Sequence, residues 1–313
     1  MWSFPFDAAD GRLTGEGTAF SEEGAWAAHV DLSRDGNAAV YSVFRPGSAL
    51  AEIWVHHFDT NQQQLVVPDG MIPKWVPGGS SILYNKWRNT KSRDEFQSAL
   101  MVREPNGMER QLSPWWKVFG ELTPATGGFG DGHSMLVSAY AIDATDATPL
   151  WLWRLEGLSE KPERVVIDRP RTHIWQPQLS PDGSWLAFVP TTVGDPPGVH
   201  HVAVARMEKT PIAEWTPLVP ALSNTDKPRW APDGRTVYFL TSRGGFYNLA
   251  GIRFDPDRGI TVGQPFDVTQ FTSPSLTVNP FMARVEIAIS AHRAVLPMMS
   301  STGSIWMLDN VDK

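Results

Sequence analysis

Short apolar runs broken by turn residues recur along the whole chain. Residues 175–190 read Trp-Gln-Pro-Gln-Leu-Ser-Pro-Asp-Gly-Ser-Trp-Leu-Ala-Phe-Val-Pro, and residues 226–241 read Asp-Lys-Pro-Arg-Trp-Ala-Pro-Asp-Gly-Arg-Thr-Val-Tyr-Phe-Leu-Thr. Each predicts strand, tight turn, strand. In Ser/Ala-Pro-Asp-Gly, Pro presets φ at the first turn position, Asp tolerates the second and Gly takes the left-handed one. Weaker copies carry Leu32-Ser33-Arg34-Asp35-Gly36, Pro73-Lys74-Trp75-Val76-Pro77-Gly78-Gly79 and Gly130-Asp131-Gly132 ahead of apolar runs. A last copy, residues 281–299, has Ser290-Ala291-His292-Arg293 where the glycine turn should be.

The turn glycines stand at 36, 79, 132, 183 and 234, spaced by 43, 53, 51 and 51 residues, with the degenerate turn near 293. A third strand follows each hairpin, as in Ala51–Phe58 and Leu150–Leu155, and a fourth in several units, as in Gln64–Val67 and Arg164–Ile167. Four antiparallel strands per unit, six times over, predict an all-β, six-bladed β-propeller spanning residues 1–313 as one domain. Phe4-Pro5-Phe6-Asp7-Ala8-Ala9-Asp10-Gly11 resembles Ile252-Arg253-Phe254-Asp255-Pro256-Asp257-Arg258-Gly259, between the third and fourth strands of the fifth unit. The chain therefore begins where a blade is half built. Residues 1–20 are expected to complete the last blade, beside residues 281–309, and so remove open sheet edges.

Composition narrows the function. The 26 Gly and 26 Pro argue against long helices, and 14 Trp suit strands and broad apolar layers. A net charge of −7 speaks against a general nucleic-acid binder. The absence of cysteine removes disulfides, thiol nucleophiles and Cys-based metal sites. No stretch is apolar enough for a membrane span, and Met1–Asp7 has no signal-peptide pattern but reads like mid-strand, as in a piece cut from a longer chain.

These turns and spacings resemble the TolB-like family of bacterial propellers, a WD-repeat-like architecture whose repeats centre on Trp/Leu-Ser-Pro-Asp-Gly. The ending Gly303-Ser304-Ile305-Trp306-Met307-Leu308 is similar to the terminus of propellers attached to bacterial membrane-anchored regulators and Ser/Thr kinases. The resemblance implies a sensor or docking module that binds a protein or peptide. It implies an extracytoplasmic site if the chain belongs to a membrane-anchored protein, and a cytoplasmic one otherwise. A monomer without cofactor is expected.

Catalytic motifs are poor. Gly132-His133-Ser134-Met135-Leu136 lacks the second glycine of a nucleophile elbow and falls in a blade hairpin. His56-His57 and His200-His201 fall on expected third strands, where neighbours point to opposite faces and cannot share one metal. Asp255–Gly259 and its twin Asp7–Gly11 read as plain turns. Aligning the hairpins places Asp31, Lys74, Gln178 and Arg229 at one position of the first strands, expected to line the channel mouth and to take an acidic peptide end or a small anion. Lys86, Trp87, Arg88, Lys91 and Arg93 are read as a loop between second and third strands that could dock an acidic partner. The competing reading is a lactonase- or lyase-like propeller enzyme with a metal in the channel. It needs converging acids and imidazoles, whereas the aligned ring offers one acid, one amide and two bases.

Overall fold

A computed structural model describes residues 1–22, 24–48, 50–76, 79–89, 96–113, 115–117, 123–124, 135–139, 151–155, 164–167, 171–192, 194, 200–209, 212, 214–219, 224–282 and 285–300. It is an all-β propeller of four-stranded antiparallel blades. Blade one comprises Trp26–Leu32, Ala38–Phe44, Ala51–His57 and Gln62–Val67, paired in chain order. Blade two begins with Met71–Trp75, Ile82–Asn89, Phe96–Arg103 and Glu109–Gln111, and blade three comprises Thr123–Pro124, Met135–Ala139, Trp151–Leu155 and Arg164–Ile167. Blade four is Thr172–Leu179, Trp185–Thr192, Ala203–Arg206 and Thr216–Pro217; blade five is Thr225–Trp230, Thr236–Arg243, Phe246–Asp255 and Ile260–Asp267.

Five blades of consecutive strands stand where six were expected. The remaining main sheet is of mixed origin. Ala288–Ile289 and Arg293–Leu296 supply two strands from the C-terminal end, and Trp2–Asp7 and Arg12–Leu13 supply two from the N-terminal end. Trp2 pairs with Leu296 and Phe4 with Ala294. The first strand of each sheet neighbours the next in order, and Ala288–Ile289 lies beside the first strands of both blade five and blade one.

The hairpin turns form as their residues require. Gly36, Gly183 and Gly234 have φ of 74°, 74° and 69°, and the amide of Gly183 donates to the Ser180 carbonyl at 2.8 Å. Asp182 caps the turn by accepting from the Ser180 and Ser184 hydroxyls at 2.6 and 2.7 Å. The degenerate copy lacks a glycine because its turn is shorter. Ser180 and Ala231 donate five residues ahead, to Trp185 and Thr236, but Ser290 donates only three ahead, to Arg293. The Gly130–Gly132 turn and residues 304–308 lie outside the described residues.

The cores lie between blades. Trp185, Trp230, Val237, Phe239 and Phe254 bury one apolar layer between blades four and five. Phe4, Phe6, Tyr238, Leu240, Ile287 and Leu296 form another between blade five and the terminal sheet. The twin turns act as latches on these seams. Asp255 Oδ1 accepts the amides of Asp257 and Arg258, and Asp7 Oδ1 those of Ala9 and Asp10. Trp185 Nε1 then donates to the Pro256 carbonyl and Arg206 to that of Asp257. At the equivalent carbonyls, Tyr238 donates to Ala8 and Arg253 to Ala9.

Candidate functional site

The first strands of blades one, two, four and five share a defect that alternation does not forecast. Their register slips by one residue between Ala28 and Asp31, Met71 and Lys74, Trp175 and Gln178, and Asp226 and Arg229. Each slip is a β-bulge with a non-glycine residue in the left-handed region: His29, Ile72, Gln176 and Lys227, at φ of 49°, 55°, 53° and 55°. Each such side chain sits two residues before the aligned residue, so a bulge precedes all four members of the sequence-derived ring.

All four ring residues are buried, Lys74 at 1%, Gln178 at 2%, Arg229 at 5% and Asp31 at 8% exposure. Two of them, Asp31 and Arg229, reach toward neighbouring blades. Asp31 Oδ2 accepts the Trp75 amide of blade two at 2.9 Å. Arg229 Nε donates to the Ile287 carbonyl of the terminal sheet at 2.6 Å, its Nη1 to Pro228 at 2.7 Å, and its Nη2 pairs with Glu286. Lys227 Nζ lies 3.9 Å from the other Glu286 oxygen. Lys74, in contrast, makes no hydrogen bond from its ammonium among the described residues.

Glu286 and Lys227 are the site residues missed in the sequence. Their signal was there to find. Glu286 stands four residues before Ser290, as His29, Gln176 and Lys227 stand four before Ser33, Ser180 and Ala231. The charges perturb one another. Burial would raise Glu286, but Arg229, Lys227 and Lys74 outweigh it and hold its carboxyl down at about 2. Burial pushes Asp31 up against the pull of Lys74, and pushes Lys74 down against the pull of Asp31.

The other candidates separate. Lys86, Trp87 and Arg88 belong to the second strand of blade two, not to a loop, because the hairpin extends through the Asn89–Phe96 pair. Lys86 is paired with Asp69 at 2.9 Å, while Arg88 is held by Gln97 and lies 4.1 Å over the Trp115 ring. Lys91 and Arg93 lie outside the described residues. His56 is buried and His57 exposed on adjacent positions of one strand, as alternation requires. His200 and His201 precede the third strand of blade four, which starts only at Ala203, so they are not strand neighbours as expected. Gly132–Ser134 of the elbow-like string also fall outside the described residues.

Comparison with known proteins bears on the fold. TolB from Acinetobacter baumannii superposes with a TM-score of 0.59 at 13% identity, covering 80% of this chain and 60% of that one. The fold is a TolB-like β-propeller. A TolB-type protein from Agrobacterium tumefaciens gives a TM-score of 0.61 at 12% identity, over 86% of this chain and 87% of its own. An oligogalacturonate lyase in complex with manganese gives 0.51 at 18% identity, over 79% of this chain and 66% of its own. The chain thus spans about 60% of the length of the Acinetobacter TolB. No family model matches the chain. No curated protein sequence matches it significantly. Among the described residues of this TolB-like propeller, no helix is long and apolar enough to cross a membrane.

Proposed function

We propose that this TolB-like propeller is a non-catalytic interaction or sensing module, in which the terminal sheet serves as the sixth blade. It takes a protein, a peptide or a small anionic ligand at the inner ends of its first strands, with Asp31, Lys74, Gln178 and Arg229 as the ring. The observation that carries this reading is the Lys74 ammonium, buried and without a hydrogen-bond partner among the described residues, under the influence of an Arg229 already engaged by Glu286. A buried charge left in that state invites a complementary group. Partners with a carboxylate suit it, and the single-domain chain supplies the site as a monomer.

The enzyme reading, with a divalent metal as in the manganese-bound lyase, fits this donor set poorly. The axis gathers Lys74, Lys227 and Arg229 around two carboxylates, and Glu286 is consumed by Arg229 while Asp31 holds a backbone amide. Cations so placed repel a divalent ion. Among the described residues no group of three or more His, Asp or Glu is placed to hold a metal. Calorimetry of short acidic peptides against the wild type and Lys74→Met tests the binding reading. Saturable binding by the wild type that weakens with salt supports it, whereas peptide-independent tight binding of Mn²⁺ overturns it.

A further inference from the structure

We propose that Lys74 holds one small carboxylate-type monoanion inside the ring, seated directly on its ammonium. This deepens the binding reading above and rests on it. Three observations meet at this side chain. It is 1% exposed, and none of its three N–H donors finds an acceptor among the described residues. Of the carboxylates that act on it, Glu286 is paired with Arg229 and Lys227, and Asp31 Oδ2 accepts the Trp75 amide. The groups acting on it electrostatically, Asp31, Arg229, Glu286 and Lys227, are two acids and two bases that balance, so Lys74 itself is the cation in excess.

The bulge explains why Lys74 in particular is left over. At the left-handed position two residues earlier, blades four and five carry Gln176 and Lys227, blade one carries His29, and the terminal sheet carries Glu286 at the matching place. Blade two alone among these has an apolar residue there, Ile72, itself buried. Arg229 receives a direct hydrogen-bond partner in Glu286 from the next sheet in the ring, whereas Asp31, the acid that acts most strongly on Lys74, leaves its ammonium without a hydrogen bond among the described residues. A carboxylate would accept the ammonium's donors and neutralise the excess charge without disturbing the Arg229–Glu286 pair.

Thermal unfolding in rising sodium formate or acetate reads the site. The wild type should gain roughly 2–4 °C as the anion saturates. Lys74→Met, measured in the same buffers, should begin at a higher melting temperature and show no formate-specific gain; the shared buffers cancel general salt effects. Equal gains in both proteins overturn the proposal, as does a wild type with no saturable heat when formate is titrated by calorimetry. Should Lys74→Met fail to fold, Lys74→Gln takes its place. Acidic peptides with free and amidated carboxyl termini separate the sources. Competition with formate by the free-terminus peptide alone makes a peptide end the occupant. Formate binding with no peptide binding keeps the anion site and removes the peptide-binding reading. Peptide binding indifferent to formate and to Lys74→Met keeps that reading and removes the anion site.

Discussion

Blade five and the terminal sheet make the same kind of object in opposite ways. Blade five is written in consecutive residues, with strands of six, eight, eight and ten residues and a Pro-Asp-Gly hairpin. Its partners are near in sequence, so its turn chemistry and apolar alternation suffice to specify it. The terminal sheet has strands of only two and four residues from its own hairpin, and it is completed by strands of six and two residues from the far end of the chain. Arg293 ties it to blade one through the Gly36 carbonyl at 3.0 Å and to the N-terminal strand through Ser3 at 2.6 Å. Local pattern builds one; long-range pairing, the Asp7 latch and the Arg293 tie build the other.

Removing residues 1–20 attacks that difference most directly. It takes away the buried Met1, Phe4, Phe6 and Phe20 and uncovers the Arg293–Leu296 edge. The deletion should lose cooperative unfolding and aggregate, seen by light scattering during a thermal ramp. A monomeric deletion variant with an unchanged melting temperature would refute the closure.

The Arg229–Glu286 pair joins the two regions. Arg229→Met alone should cost about 3–5 kcal/mol, because it strands a buried carboxylate. The double variant Arg229→Met, Glu286→Leu should recover much of that loss in urea unfolding. A double-mutant cycle with no coupling would show that the seam is apolar packing alone.

The same pair gives a pH signature. The folded-state pKa of Glu286 lies below its unfolded value, so the native state binds fewer protons there. Its contribution is present above the ordinary carboxyl pKa of 4.5 and is lost as pH falls toward about 2. Asp31, raised by burial, works with the opposite sign. Unfolding free energy measured across the acid range should therefore show a flatter slope in Glu286→Gln than in the wild type.

Two hairpin glycines sharpen the contrast at the smallest scale. A Cβ at Gly234 would meet Pro181 at an ordinary 3.6 Å, so Gly234→Ala should cost only the left-handed penalty of about 1–2 kcal/mol. At Gly36 the Cβ would fall 2.5 Å from Ser290 Oγ, on the turn of the terminal sheet. Gly36→Ala should lower the melting temperature further than Gly234→Ala. Equal losses would mean that Ser290 swings aside freely.

The sequence by itself determined what neighbouring residues decide. The Pro-Asp-Gly turns, the strand runs, the twin Asp7 and Asp255 turns and the closure suggested by that twin are all local chemistry repeated at intervals. The alignment also picked out Asp31, Lys74, Gln178 and Arg229 as equivalent. It did not show that a bulge precedes each of them. The left-handed residue is His29, Ile72, Gln176 or Lys227, types that carry no glycine-like signal for that conformation. Strict alternation puts Ala28 and Asp31 on opposite faces, while the bulged register, facing Ser42 and Val40, puts them on one. Nor could the sequence show that Arg229 is already spent, because its acid lies 57 residues away in the most degenerate repeat. Only closing the ring brings Glu286 to Arg229 and leaves the Lys74 ammonium without a hydrogen bond among the described residues, since charge partners across blades are chosen by proximity in space and leave no period in the chain.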